Sequence, residues 1–139
     1  MSARRRAREL VLKALYASQT SDQNPEEVWQ TLLEDAALPE KPLKFATELF
    51  KLVLNNEDRL DQEIAKHSQN WHISRLALID KNIMRIAICE LLYMADVPSR
   101  VSLNEAIELA KTFSTPDSSS FVNGILNAVL KDHLHEIEG

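Results

Sequence analysis

From Ala7 to Leu130, apolar residues recur every three or four positions, and no run of β-branched residues alternates with the period of a strand. Only two glycines occur in 139 residues, so the tight turns that hairpins need are hard to build. The periodicity predicts an all-α fold with about six or seven helices. Ala7, Leu10, Val11, Ala14, Leu15 and Ser18 form the first stripe. Asn24-Pro25-Glu26-Glu27 offers an N-cap, a proline at the first helical position and a capping-box glutamate. Val28, Leu32, Leu33 and Ala36 follow as the second stripe, and Pro39 and Pro42 punctuate its end.

The third stripe is Phe45, Leu49, Leu52 and Val53. Asn55-Asn56 either kinks a helix that continues through Leu60 and Ile64 or separates two helices; the periodicity permits both. Ser74 can cap a short turn. Asp80 opens a helix through Ile83, Ile86, Ala87, Leu91 and Met94 that stops before Val97-Pro98. Ser102-Leu103-Asn104-Glu105 reads as another capping box, ahead of Ala106, Ile107, Ala110 and Phe113. Asp117 and Ser118 to Ser120 open the last helix, striped by Phe121, Val122, Ile125, Leu126, Val129 and Leu130. A chain of this length fits one domain, or two half-size bundles sharing a core.

Charge is distributed unevenly. The net charge is −5, yet residues 1–19 carry Arg4, Arg5, Arg6, Arg8 and Lys13 against Glu9, a local +4. The remainder therefore holds −9. An acidic body with a basic head suggests an arm for an anionic partner, and arginine favours phosphate by bidentate bonding and stacking. On a helix Arg5 and Arg8 flank the apolar stripe while Arg6 points away, an arrangement suited to wrapping a phosphate backbone. Charge alone fits a solubilising terminus equally well.

Other chemistry finds little support. Cys89 is the single cysteine, which excludes an intramolecular disulfide and suits a reducing compartment. His133 and His135 diverge on a helix, and His67 and His72 are five apart, so these histidines read as surface residues and no metal site is expected. Glu105 and Glu108 fit a cap and a solvated face. There is no glycine-rich phosphate loop and no strand-turn-helix to hold a nucleophile, so no catalytic residue and no cofactor are expected. Glu9 and Lys13 interrupt any signal-peptide core after the arginines, and Ile83 to Met94 contains Arg85 and Glu90 and is far too short to cross a membrane. The expectation is a cytoplasmic protein without a membrane partner. Tyr16 lies opposite the first stripe and should be exposed. Phe121 is either the head of its core stripe or a partly exposed ring able to stack on a base.

Several blocks carry a specific resemblance: Arg4-Arg5-Arg6-Ala7-Arg8-Glu9, Ala14-Leu15-Tyr16, Asp80-Lys81 ahead of Met84-Arg85-Ile86-Ala87, Val97-Pro98, Asn104-Glu105-Ala106-Ile107-Glu108-Leu109-Ala110-Lys111 and Phe121-Val122-Asn123-Gly124. Together they resemble the NusB family of transcription antitermination factors over essentially the whole chain. The resemblance implies two small packed helical bundles in a single domain over residues 1–139, with halves at 1–68 and 69–139. It implies pairing with the small-subunit ribosomal protein NusE, binding to boxA-type single-stranded RNA in ribosomal RNA leaders, and support of RNA polymerase against termination and of ribosomal RNA maturation. Carried over by position, Arg4, Arg5, Arg6, Arg8, Asp117 and Phe121 would contact RNA, and Tyr16 and Asp80 would face the protein partner. Monomers and homodimers both occur in such a family.

Two positions depart from the family pattern: Asp80 stands where glutamate is expected, and Ser120 stands where some relatives carry lysine. A lost lysine contact would reduce the salt slope of single-strand binding by about 0.7. Two other readings compete. One is a protein-only helical adaptor in which the arginines do nothing. The other is a NusB-like module of an RNA methyltransferase, for which the sequence up to Gly139 offers no methyl-donor domain.

Overall fold

The computed structural model describes residues 2–68 and 76–138, with the side chain of Glu138 set aside. Eight helices are present among them and no strand, in agreement with the periodicity. Ser74 and His72 lie outside the described residues. Two compact units are distinguished, residues 1–51 and 52–139.

The first unit contains α1 (Ala3–Gln19), α2 (Pro25–Asp35) and most of α3 (Glu40–Asn55). Ser2 caps α1, its Oγ accepting from the Arg5 N–H at 3.1 Å. Asn24 caps α2, its Oδ1 accepting from the Glu26 N–H at 2.8 Å, and Pro25 takes the first helical position. Pro42 sits in the first turn of α3, where a missing N–H costs nothing. The core of this unit joins Ala7, Val11, Leu12, Ala14 and Leu15 to Val28 and Trp29 and to Phe45, Ala46, Leu49 and Phe50. Trp29 stacks on Phe50 with centroids 4.6 Å apart and planes 10° from parallel, tying α2 to α3.

In the second unit, α4 (Glu57–His67), α6 (Ser99–Phe113), α7 (Ser118–Asp132) and the short α8 (Leu134–Glu138) pack around α5 (Leu78–Tyr93). Every residue of α5 from Asn82 to Leu91 is buried. A helix buried on all sides must pair its polar groups internally. Arg85 does so twice over: its Nε and Nη2 donate to the two carboxylate oxygens of Asp61 at 2.6 and 2.9 Å, and its Nη1 donates to Asn82 Oδ1 at 2.9 Å. Glu90, 1% exposed, accepts from Ser102 Oγ at 2.9 Å.

One alternative left open by the periodicity is decided, and one expectation is corrected. The stripe beyond Val53 belongs to two helices, with Asn56 breaking them at φ −123°, ψ 19°. The compact units divide at 51–52, with α4 packing on α5 and α7. Helix α6 begins one turn before the expected capping box: Pro98, rigid at φ −59°, ψ 135°, takes the cap position and its carbonyl accepts from the N–H groups of Val101 and Ser102. Ser102 is thus inside the helix, free to serve Glu90.

Candidate nucleic-acid interface

At the start of α1 the four arginines separate by position. Arg4 and Arg6 are exposed, Arg5 is half-buried and Arg8 is buried at 2% exposure. Arg8 shares a helix face with Leu12 and Leu15, four and seven residues on, so it extends the apolar stripe. Of the four arginines expected to wrap a phosphate backbone, Arg8 is held inside the unit. Its guanidinium lies 5.1 Å from the centroid of Phe45 on α3, and that of Arg4 lies 4.3 Å from the same ring. A guanidinium on an aromatic face is attracted by the ring quadrupole and loses rotamer freedom before any ligand arrives. Arg6 reaches elsewhere: its Nη2 donates to the Ala37 carbonyl. There it borders a cleft of about 210 Å³ lined also by Glu9, Leu10, Lys13 and the 36–38 segment. The partial positive charge of the helix N-terminus adds to this cationic end.

Phe45 is the residue that sequence reasoning missed as part of this site. It was legible only as a core position. The signal that could have found it is an aromatic near a basic helix start, which is too common to single out.

Tyr16, 43% exposed, bears out the wheel geometry. At the helical rise it lies about 18 Å along the axis of α1 from Arg4, so the two belong to different ends of the helix.

In the second unit, Asp80, Asp117 and Phe121 meet at one cleft of about 280 Å³, lined also by Leu76, Ala77, Thr115 and Ser118. Asp117 is exposed at the cap position of α7 and makes no side-chain cap bond. Phe121, one turn on, is half-buried, so part of its ring faces outward. Asp80 is different. It is 8% exposed, its Oδ1 accepts from Ser114 Oγ at 2.7 Å and its Oδ2 from Ser118 Oγ at 3.0 Å. Ser118 Oγ also lies 2.9 Å from Thr115 Oγ1 and from Ser114 Oγ. The Asp80 carboxylate ties the 114–118 link to α5 and sets the start of α7. Ser120 is exposed immediately before Phe121, and as a serine it adds no cation there.

The reading of all the histidines as surface residues is also corrected. His67 and His133 come together between the ends of α4 and α7, their side chains 16% and 12% exposed, beside Glu63 and Asp132. Burial lowers the pKa of His133, but Glu63 at 2.7 Å and Glu136 at 3.4 Å outweigh it, and the net direction is upward. Tertiary packing joined residues whose sequence spacing gave no signal.

These helices define an all-α protein of two compact units, with a cationic helix end in one and an acid-and-aromatic cleft in the other. No described helix is long and apolar enough to cross a membrane. Residues 5–131 match the NusB family model, and the chain belongs to the NusB family. It is similar to the transcription antitermination protein NusB of Chloroherpeton thalassium, with 45% identity over 131 residues, 94% of this chain. The match spans 62% of that relative's length. Among solved structures, NusB from T. maritima superposes with a TM-score of 0.88 at 34% identity, covering 98% of this chain and 97% of that one. The antitermination factors NusB and NusE in complex with double-stranded RNA give a TM-score of 0.85 at 24% identity, over 95% and 98% of the two chains, a likeness of fold.

Proposed function

We propose that this protein is a transcription antitermination factor that binds boxA-type RNA together with NusE, acting as one cytoplasmic NusB-like domain and not as an enzyme. The observation that carries the reading is the exposed guanidinium of Arg4 stacked on Phe45, beside exposed Arg6 at the positive end of α1. Such fixed cations suit a phosphate backbone, because little entropy is left to lose on binding. Membership of the NusB family and a fold shared with a NusB–NusE–RNA complex support it.

Two patches divide the work. Arg4, Arg5 and Arg6 hold phosphates, and Arg8 steadies Phe45 from the buried side. Asp117 is an anion and would repel phosphate, but its carboxylate accepts from base N–H groups while the outward part of the Phe121 ring stacks on a base. Asp80 positions both by fixing the start of α7. Tyr16, at the far end of α1, is the contact for NusE, an exposed ring with a polar tip of the kind favoured at interfaces. A small acidic body with one basic end offers modest contact area, so a co-binding protein adds the affinity that the chain lacks alone.

Fluorescent boxA-type RNA, a scrambled strand and a duplex, titrated at low and high salt with and without NusE, test this. Preference for the boxA strand, strengthened by NusE and weakened by salt, is the expected result. Sequence-blind RNA affinity unchanged by NusE, with NusE itself still bound, would instead establish a protein-only adaptor.

A further inference from the structure

The cluster between the ends of α4 and α7 has a donor arrangement that the RNA reading does not use. Glu63 and His67 are four apart on α4 and share a face, while Asp132 ends α7 and His133 follows it. Both imidazoles turn Nε2 toward the same two carboxylates. His133 Nε2 lies 2.7 Å from Glu63 Oε1 and 3.7 Å from Asp132 Oδ2; His67 Nε2 lies 3.4 Å from Asp132 Oδ2 and 3.9 Å from Glu63 Oε1. Ligand atoms around a tetrahedral ion with bonds of about 2.0–2.1 Å stand about 3.3 Å from one another, inside the range spanned by these four separations. The ligating atoms of Glu63, His67 and Asp132 all fall within 4.8 Å of each other.

A second observation is independent of this spacing. His67 Nε2 is buried from solvent and makes no hydrogen bond, an unusual state for a ring nitrogen facing two carboxylates. A metal ion would supply the missing partner.

We propose that Glu63, His67, Asp132 and His133 form a binding site for a divalent transition-metal ion of the Zn²⁺ type. Two imidazole nitrogens and two carboxylate oxygens suit Zn²⁺, Co²⁺ or Ni²⁺, whereas Mg²⁺ and Ca²⁺ prefer oxygen alone. Glu136 Oε1, 3.4 Å from His133 Nδ1, is placed to hold that ring in the ligating tautomer. Lys66 Nζ, 2.6 Å from Asp132 Oδ2, competes for one ligand; its side chain is 56% exposed and can swing into solvent when the ion enters. The site lies wholly within the second unit and clamps α4 to the end of α7. It stands whether or not the RNA reading does.

The test uses the full chain, stripped with chelator and held at mildly alkaline pH, where protons compete least with the metal. Zn²⁺ is titrated against a chromophoric competitor, and Co²⁺ is followed by its visible absorption, which is intense for tetrahedral coordination. One ion per chain, a raised melting temperature and a tetrahedral Co²⁺ band are expected. Outer partners alone change metal affinity by about 10–100-fold, so His67→Gln and His133→Gln should each cost at least about that much, while His135→Gln should change nothing. Circular dichroism shows whether each variant folds, and the Co²⁺ band of the unsubstituted chain reports geometry even if one does not. Absence of stoichiometric binding by the unsubstituted chain, or binding that survives in folded His67→Gln and His133→Gln, would overturn the proposal.

Discussion

The Arg4 guanidinium stands 4.3 Å above the centroid of Phe45, an exposed cation resting on a buried ring. The ring is a core residue on one face and a platform on the other. Replacing Phe45 by Leu keeps the apolar volume and removes the platform. Cation–π contacts at exposed sites are worth about 0.5–1 kcal/mol, so boxA affinity should fall by about two- to fivefold. A filter-binding or fluorescence titration checks this, and an unchanged affinity in a folded variant would show that Arg4 needs no platform.

Exposed and buried arginines should behave differently. Arg4→Ala and Arg6→Ala should each lower the salt slope of RNA binding by about 0.7 with little effect on stability. Arg8→Ala removes a long buried stem and should lower unfolding stability by about 1–3 kcal/mol, measured by urea denaturation. Equal salt slopes in the first two variants and the parent protein would remove both residues from the RNA contact.

Asp80→Ala takes away the acceptor for Ser114 and Ser118. Two hydroxyls lose a partially buried carboxylate partner, a loss of about 1–3 kcal/mol in unfolding free energy. Should the unfolding midpoint stay fixed while NusE binding collapses, Asp80 acts as a direct partner contact instead.

Arg85→Lys retains the charge but loses the two-pronged grip on Asp61 and the bond to Asn82. A cost of about 1–3 kcal/mol is expected from the same denaturation measurement, with RNA binding by the folded fraction intact.

Gly124 offers a test of the α7 surface. A methyl group added there would meet nothing within 4 Å beyond its chain neighbours and the backbone of its own helix, and helix propensity favours alanine by about 1 kcal/mol. Gly124→Ala should therefore raise the melting temperature. It lies three residues from Phe121 on the same face, so a fall in RNA affinity despite greater stability would mark close approach of the ligand there.

The helical nature of this chain was written in its sequence, since spacing of apolar residues is a local property that each segment carries alone. The Asn24-Pro25 start of α2 and the exposure of Tyr16 were legible for the same reason, as were the blocks that resemble NusB. Tertiary structure decided the rest, because a side chain's partner is set by what packs against it. Arg8 reads as a flanking cation until α3 brings Phe45 beneath it. Asp80 reads as a helix-start carboxylate until the 114–118 link turns two serine hydroxyls onto it. His67 and His133, 66 positions apart, read as solvated residues until α4 and α7 bring their ring nitrogens to the same carboxylates. Periodicity tells a residue which face it occupies; burial and hydrogen bonding, which fix its charge and chemistry, depend on neighbours that are distant along the chain.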